Sequence, residues 1–136
     1  MTLSVLANID VDDLERATAF YCSALELKIG RRFGDSAVEL VGASCAIYLL
    51  RQDAGTLATT SSSQRRDFAR HWTPVHLDFV VPAIEPAVAR AQNAGARLEG
   101  EVRTHKWGRI AVLADPFGHG FCLLEFRGRG YDEIAT

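Results

Sequence analysis

An α+β fold built from two βαβββ modules is what this sequence predicts, and three observations carry the prediction. Shifting the chain by seventy residues lays Leu6 to Ala24 over His76 to Ala94, with Val11 on Val81, Glu15 on Glu85, Ala17 on Ala87, Ala19 on Ala89 and Ala24 on Ala94. In both copies, apolar alternation at the strand period of two gives way to helical spacing at the same point. After each helix come short runs of strand-forming residues separated by turn chemistry, Gly34-Asp35 and Gly42-Ala43 in the first copy and Asp115-Pro116-Phe117-Gly118 in the second.

The elements follow in order. Leu3 to Val11 reads as the first strand, with Val5, Ala7, Ile9 and Val11 on the face a helix covers and Leu6 and Asn8 on the other. Asp12 or Asp13 caps the helix, which runs to about Leu25 and buries Leu14, Ala17, Thr18, Tyr21 and Leu25. Leu27 to Phe33, Ala37 to Val41 and Cys45 to Leu50 complete the first module, residues 1–51. Residues 52–73 are polar and Ser-rich, a linker or lid in which Arg65 and Arg66 either meet an acidic ligand or, the favoured reading, stand in solvent. The second module, residues 74–126, opens on a strand with Leu77, Phe79 and Val81 on the covered face and His76 and Asp78 opposite. Its helix starts near Pro82 or Ala83, buries Ile84, Ala87, Val88, Ala91 and Ala94, and ends at Gly95. Arg97 to Val102, Arg109 to Ala114 and Phe121 to Phe126 are its remaining strands; residues 127–136 form a tail that either packs on a partner through Tyr131 and Ile134 or frays.

Composition bounds the function. With 136 residues, 48% of them hydrophobic, the chain can bury a core of its own. Fifteen basic against 17 acidic side chains give a formal charge of -2, which argues against a nucleic-acid or anionic-membrane partner. No apolar run approaches the roughly 20 residues a membrane helix needs, and no secretory leader is evident, so a cytoplasmic location is expected. Cys22, Cys45 and Cys122 are odd in number and lack C-x-x-C spacing, which points to reduced thiols.

The repeat, the V-x-D-L-x-x-A-x-x-F-Y run at Val11, Asp13, Leu14, Ala17, Phe20 and Tyr21, and the D-P-x-G turn at Asp115, Pro116 and Gly118 resemble the vicinal oxygen chelate superfamily, the group of glyoxalase I, bleomycin-resistance proteins and extradiol dioxygenases. The resemblance spans Leu3 to Phe126. It implies curved mixed sheets around a cleft with the helices outside, usually in a homodimer. In metal-dependent members it also implies four ligands, one each from the first and last strand of each module.

Carried over residue by residue, that ligand set is depleted. The first position falls on Leu6 and the second on Ala46 or Tyr48, depending on turn length; the third is His76. The fourth is Cys122, because the family's D-P-x-G-N-x-x-E becomes DPFGHGFC here. Glu125, three residues further along a strand, points to the opposite face. A hard divalent ion needs three or four oxygen or imidazole donors. No bound metal is therefore expected, with His76 the one conventional ligand and a divalent metal ion kept as the alternative.

What remains is a polar pocket. His76 and Asp78 share a strand face roughly 7 Å apart and are the catalytic candidates if the protein is an enzyme. Leu6, Asn8, Tyr48, Trp107, Arg109 and Cys122 are the candidate ligand-binding residues, with Trp107 or Trp72 suited to stack on a planar ligand and Arg109 to hold an anionic group. Three classes follow: a small-molecule binding protein of the bleomycin-resistance type; a lyase, isomerase or dioxygenase using His76 with or without an atypical metal; or an accessory interaction domain. The substrate is not legible.

Overall fold

The structure, a computed structural model, describes residues 2–136. The chain divides into two compact units, one up to Ala69 and one from Arg70 to Thr136, each carrying one α-helix on one mixed sheet.

In the first unit, β1 (Ala7–Val11), α1 (Leu14–Leu25), β2 (Lys28–Phe33), β3 (Ala37–Val41) and β4 (Ile47–Arg51) form a sheet of order β1-β4-β3-β2. β1 runs parallel to β4 and the other pairs are antiparallel. Ile9, Val11, Val38, Leu40, Ile47 and Leu49 are buried on the face under α1, against Leu14, Ala17, Phe20, Tyr21 and Ala24. The helix starts where Asp13 Oδ1 accepts from the Arg16 N–H at 3.0 Å. Two expectations are corrected here. β1 begins at Ala7 rather than Leu3, because its only neighbour, β4, starts at Ile47 opposite Ala7; Leu3, Val5 and Leu6 have no strand to pair with and are exposed. Leu25 is half-buried at the helix end, and Phe20 and Ala24 take its place in the stripe.

Gln52 to Trp72 contains no helix or multi-residue strand, yet its middle is tied down. Leu57 and Arg65 form a bridge, Arg65 donates to the Gly55 carbonyl at 2.8 Å, and Arg66 donates to Asp10 Oδ2 at 2.8 Å and to the Leu57 carbonyl. Arg66 is therefore half-buried in an internal pair rather than solvated as expected.

In the second unit, β5 (Leu77–Val80), α2 (Ile84–Ala94), β6 (Arg97–Leu98), β7 (Arg103–His105), β8 (Gly108–Ala114) and β9 (Gly120–Phe126) repeat the plan. The sheet order is β5-β9-β8-β6, with β7 also pairing with β8 and β5 again parallel to the last strand. The strand expected over Arg97 to Val102 is broken, since Gly100 turns the chain between β6 and β7. Ala83 at the start of α2 offers no side-chain cap, so Glu125 supplies one from the sheet: its Oε1 accepts from the Ile84 N–H at 3.1 Å. That bond, reinforced by Arg127 at 2.6 Å, holds the Glu125 carboxyl below its ordinary range. Gly95 ends the helix at φ 122°, which a side chain would resist. In the tail, residues Gly130–Glu133 form a 3₁₀ turn that lays Tyr131 on the chain's own Phe126 (4.7 Å) and Trp107 (5.3 Å). Neither α-helix is long and apolar enough to cross a membrane.

Candidate functional site

The open face of the second sheet gathers the polar groups. Asp78 lies opposite Cys122 in the parallel register of β5 and β9, and His76 stands just before β5 on the same side. His76 Nε2 is 3.2 Å from Asp78 Oδ1, and the Cys122 thiol donates to the same carboxylate. One ligand atom from each of the three lies within 4.8 Å of the others. The His76 and Asp78 side chains are 39% and 38% exposed, so a solute reaches both, whereas Cys122 forms the buried floor.

The environment sets the chemistry of the thiol. Burial, and then the negative charge and hydrogen bond of Asp78, push Cys122 up to about 11 from an ordinary 9.0, with Arg103 opposing weakly. Cys122 is thus a protonated donor at neutral pH. We expect it to resist iodoacetamide there and to react only as the pH approaches that value. Asp78→Asn, which leaves the burial but removes the charge, shifts the labelling profile to lower pH; peptide-resolved mass spectrometry reads it, and an unshifted profile would refute the coupling.

Trp72 completes the site. Its ring meets His76 edge to face at 5.4 Å, and the Arg70 guanidinium lies 4.9 Å from its centre. Its Nε1–H donates to Glu99 at 3.3 Å, and Glu99 is also paired with Arg70, which holds its carboxyl below the ordinary range. The ring lies so close over Gly120 that a Cβ there would overlap it. The sequence offered Trp72 and Trp107 as equals; Trp72 is the one beside His76. The clamp of Arg70, Glu99 and Gly120 was not foreseen, because its members are scattered over fifty residues of sequence with no periodic signal.

The other candidates fall elsewhere. Trp107 is engaged by His105 (5.2 Å, stacked), Tyr131 and Phe126. Arg109 stands opposite Glu125 on the helix-covered face and pairs with Glu85 of α2, keeping that carboxyl low. In the first unit, Leu6 precedes β1 and is 59% exposed, and Asn8 lies opposite Tyr48. Since Asn8 corresponds to Asp78 at the seventy-residue shift, Tyr48, not Ala46, is the counterpart of Cys122. The Tyr48 hydroxyl donates to Glu39 Oε2 at 2.8 Å.

The donor set does not fit the hard divalent ions of metal-dependent relatives. It offers one imidazole, one carboxylate that already takes the hydrogen bond of the thiol, and a thiol held protonated. Zinc is the ion whose preferences it approaches most nearly.

Two mixed sheets of this topology, each first strand parallel to its last, define the glyoxalase/bleomycin-resistance/dioxygenase class, the vicinal oxygen chelate superfamily. Residues 7–124 match the model of the glyoxalase-like domain, and the chain belongs to that family. It is 31% identical over 133 residues to the uncharacterized protein Mb0911c of Mycobacterium bovis, covering 93% of this chain and 86% of the relative. Among solved structures it is similar to FosX, a genomically encoded fosfomycin resistance protein from Listeria monocytogenes (TM-score 0.73, 16% identity, 99% of each chain). It is also similar to a glyoxalase/bleomycin resistance protein/dioxygenase family enzyme from Burkholderia phytofirmans PsJN (TM-score 0.72, 20% identity, 90% of this chain and 97% of that one). At these identities the structural likeness speaks for the fold alone.

Proposed function

We propose that this glyoxalase-like protein binds a small organic molecule at the His76–Asp78 pair without a tightly held metal. The observation that carries the reading is that the groups at the superfamily's ligand position are engaged with one another: Asp78 Oδ1 lies 3.2 Å from His76 Nε2 and takes the hydrogen bond of the Cys122 thiol, which stays protonated. Trp72 supplies an aromatic wall beside them. The proposal includes a homodimer, since each sheet leaves edge strands unpaired within its own unit. It also includes a reducing compartment such as the cytoplasm, which suits three free cysteines. The enzymatic alternative is favoured by one feature: the Asp78 carboxylate lies 3.2 Å from an accessible imidazole, a pairing that suits a general base.

The test is equilibrium dialysis of chelator-free protein against nickel, manganese and zinc, beside a thermal-shift screen of small molecules. The expected result is metal uptake well below one equivalent, unchanged by His76→Ala, with ligand stabilisation that His76→Ala and Asp78→Asn each abolish. Stoichiometric uptake abolished by His76→Ala would overturn the metal-free reading. Light scattering at micromolar concentration tests the dimer.

A further inference from the structure

The face that carries His76, Asp78 and Cys122 continues across the second sheet to a charge with no counterpart. Cross-strand partners share a face. The register Asp78 to Cys122 to Val112, and Val80 to Leu124 to Ile110 to Arg103, therefore puts Arg103 on the same side as the Asp78 carboxylate. The floor between them is apolar: Cys122 and Leu124 are buried, Ile110 and Val112 half-buried. In the same unit Arg70, Arg109 and Arg127 each pair with a glutamate, whereas exposed Arg103 has no carboxylate partner among the described residues. Its charge is nonetheless felt at Cys122.

Geometry and chemistry together describe a ligand. Three strand spacings, about 14 Å, separate the backbones of β5 and β7, and the side chains shorten that span from both ends. It suits a molecule about one ring long, with opposite ends of different character. The guanidinium fork matches a carboxylate or phosphate in a bidentate pair, and the exposed Asp78 accepts from a hydroxyl or amine. We infer that the site takes a small organic anion, its acidic group on Arg103, its apolar middle over Ile110 and Val112, and a hydrogen-bond donor at its far end on Asp78. This rests on the reading of His76 and Asp78 as the ligand-binding pair.

The probes are 4-hydroxyphenylacetate, its uncharged methyl ester and 4-hydroxyphenyl phosphate, titrated by calorimetry to millimolar concentration at low salt. The natural protein is expected to bind at least one of the anions about tenfold or more tightly than the ester, the worth of one charge-assisted bidentate pair. Arg103→Gln should remove that preference without changing ester binding, and Arg103→Lys should restore part of it. Because Arg103 is exposed, loss of folding does not confuse the result. Comparison of the two anions distinguishes a carboxylate from a phosphate ligand. Equal binding of anions and ester, or anion binding indifferent to Arg103→Gln but sensitive to His76→Ala, overturns the anion inference and leaves the site reading standing. Failure of all three probes, or binding indifferent to both residues, overturns both.

Discussion

Leu123→Ala is expected to destabilise the protein by about 2–5 kcal/mol, seen as a fall in Tm of roughly ten degrees with a smaller denaturant midpoint and an unchanged m-value. Leu123 is 0% exposed in the middle of β9, between Phe79 of β5 and Ala111 of β8, on the face that α2 covers. Its removal costs the transfer free energy of the side chain and leaves a cavity bounded by backbone on three strands, which cannot collapse without breaking the ladder. Against a total stability of about 5–15 kcal/mol for a domain of this size, the loss is large. Ile134→Ala, at a tail position 51% exposed, is the matched control and should change little. Similar losses in the two variants would mean that the second core is not packed as described.

The same residue shows what the sequence made legible. Phe79 and Ile9 are seventy residues apart and occupy equivalent strands, so the shift was visible. Their partners Leu123 and Leu49 are seventy-four apart, because the second module inserts residues between its helix and its last strand. That drift is why Ala46 and Tyr48 were both open, and only the strand register decided for Tyr48. Helix positions, both helix ends within a residue or two, and the His76–Asp78 face came from periodicity and caps, which are local. Ion pairs such as Arg109 with Glu85 or Arg66 with Asp10 are not local, so both arginines read as candidates for solvent or ligand. The end of β1 was misread for a related reason: alternation continues through Leu3 and Val5, but a strand needs a neighbour, and β4 is too short to provide one.

Glu39→Gln is expected to flatten the acid-stability profile. The Glu39 carboxylate is surrounded by donors: the Arg31 backbone N–H at 3.0 Å, Arg31 Nε at 3.1 Å, Arg31 Nη2 at 2.6 Å and the Tyr48 hydroxyl at 2.8 Å. These bonds, Arg31 first, hold its carboxyl down to about 2 from an ordinary 4.5. A carboxyl whose folded value is depressed contributes stability that is fully present above its unfolded value and lost as the pH falls toward the folded one. The window is thus pH 4.5 to about 2. The amide cannot accept the same set from Arg31, so the variant should melt several degrees lower near pH 6 and the two Tm curves should converge toward pH 2. Arg31 is 67% exposed, so added salt should narrow the gap at pH 6. Glu15→Gln, which breaks the exposed pair with Arg32 on the other face, should leave Tm nearly unchanged. Circular dichroism melts at half-unit steps across that range decide it, because parallel curves for natural protein and Glu39→Gln would show that the network is not what keeps the first sheet's open face ordered.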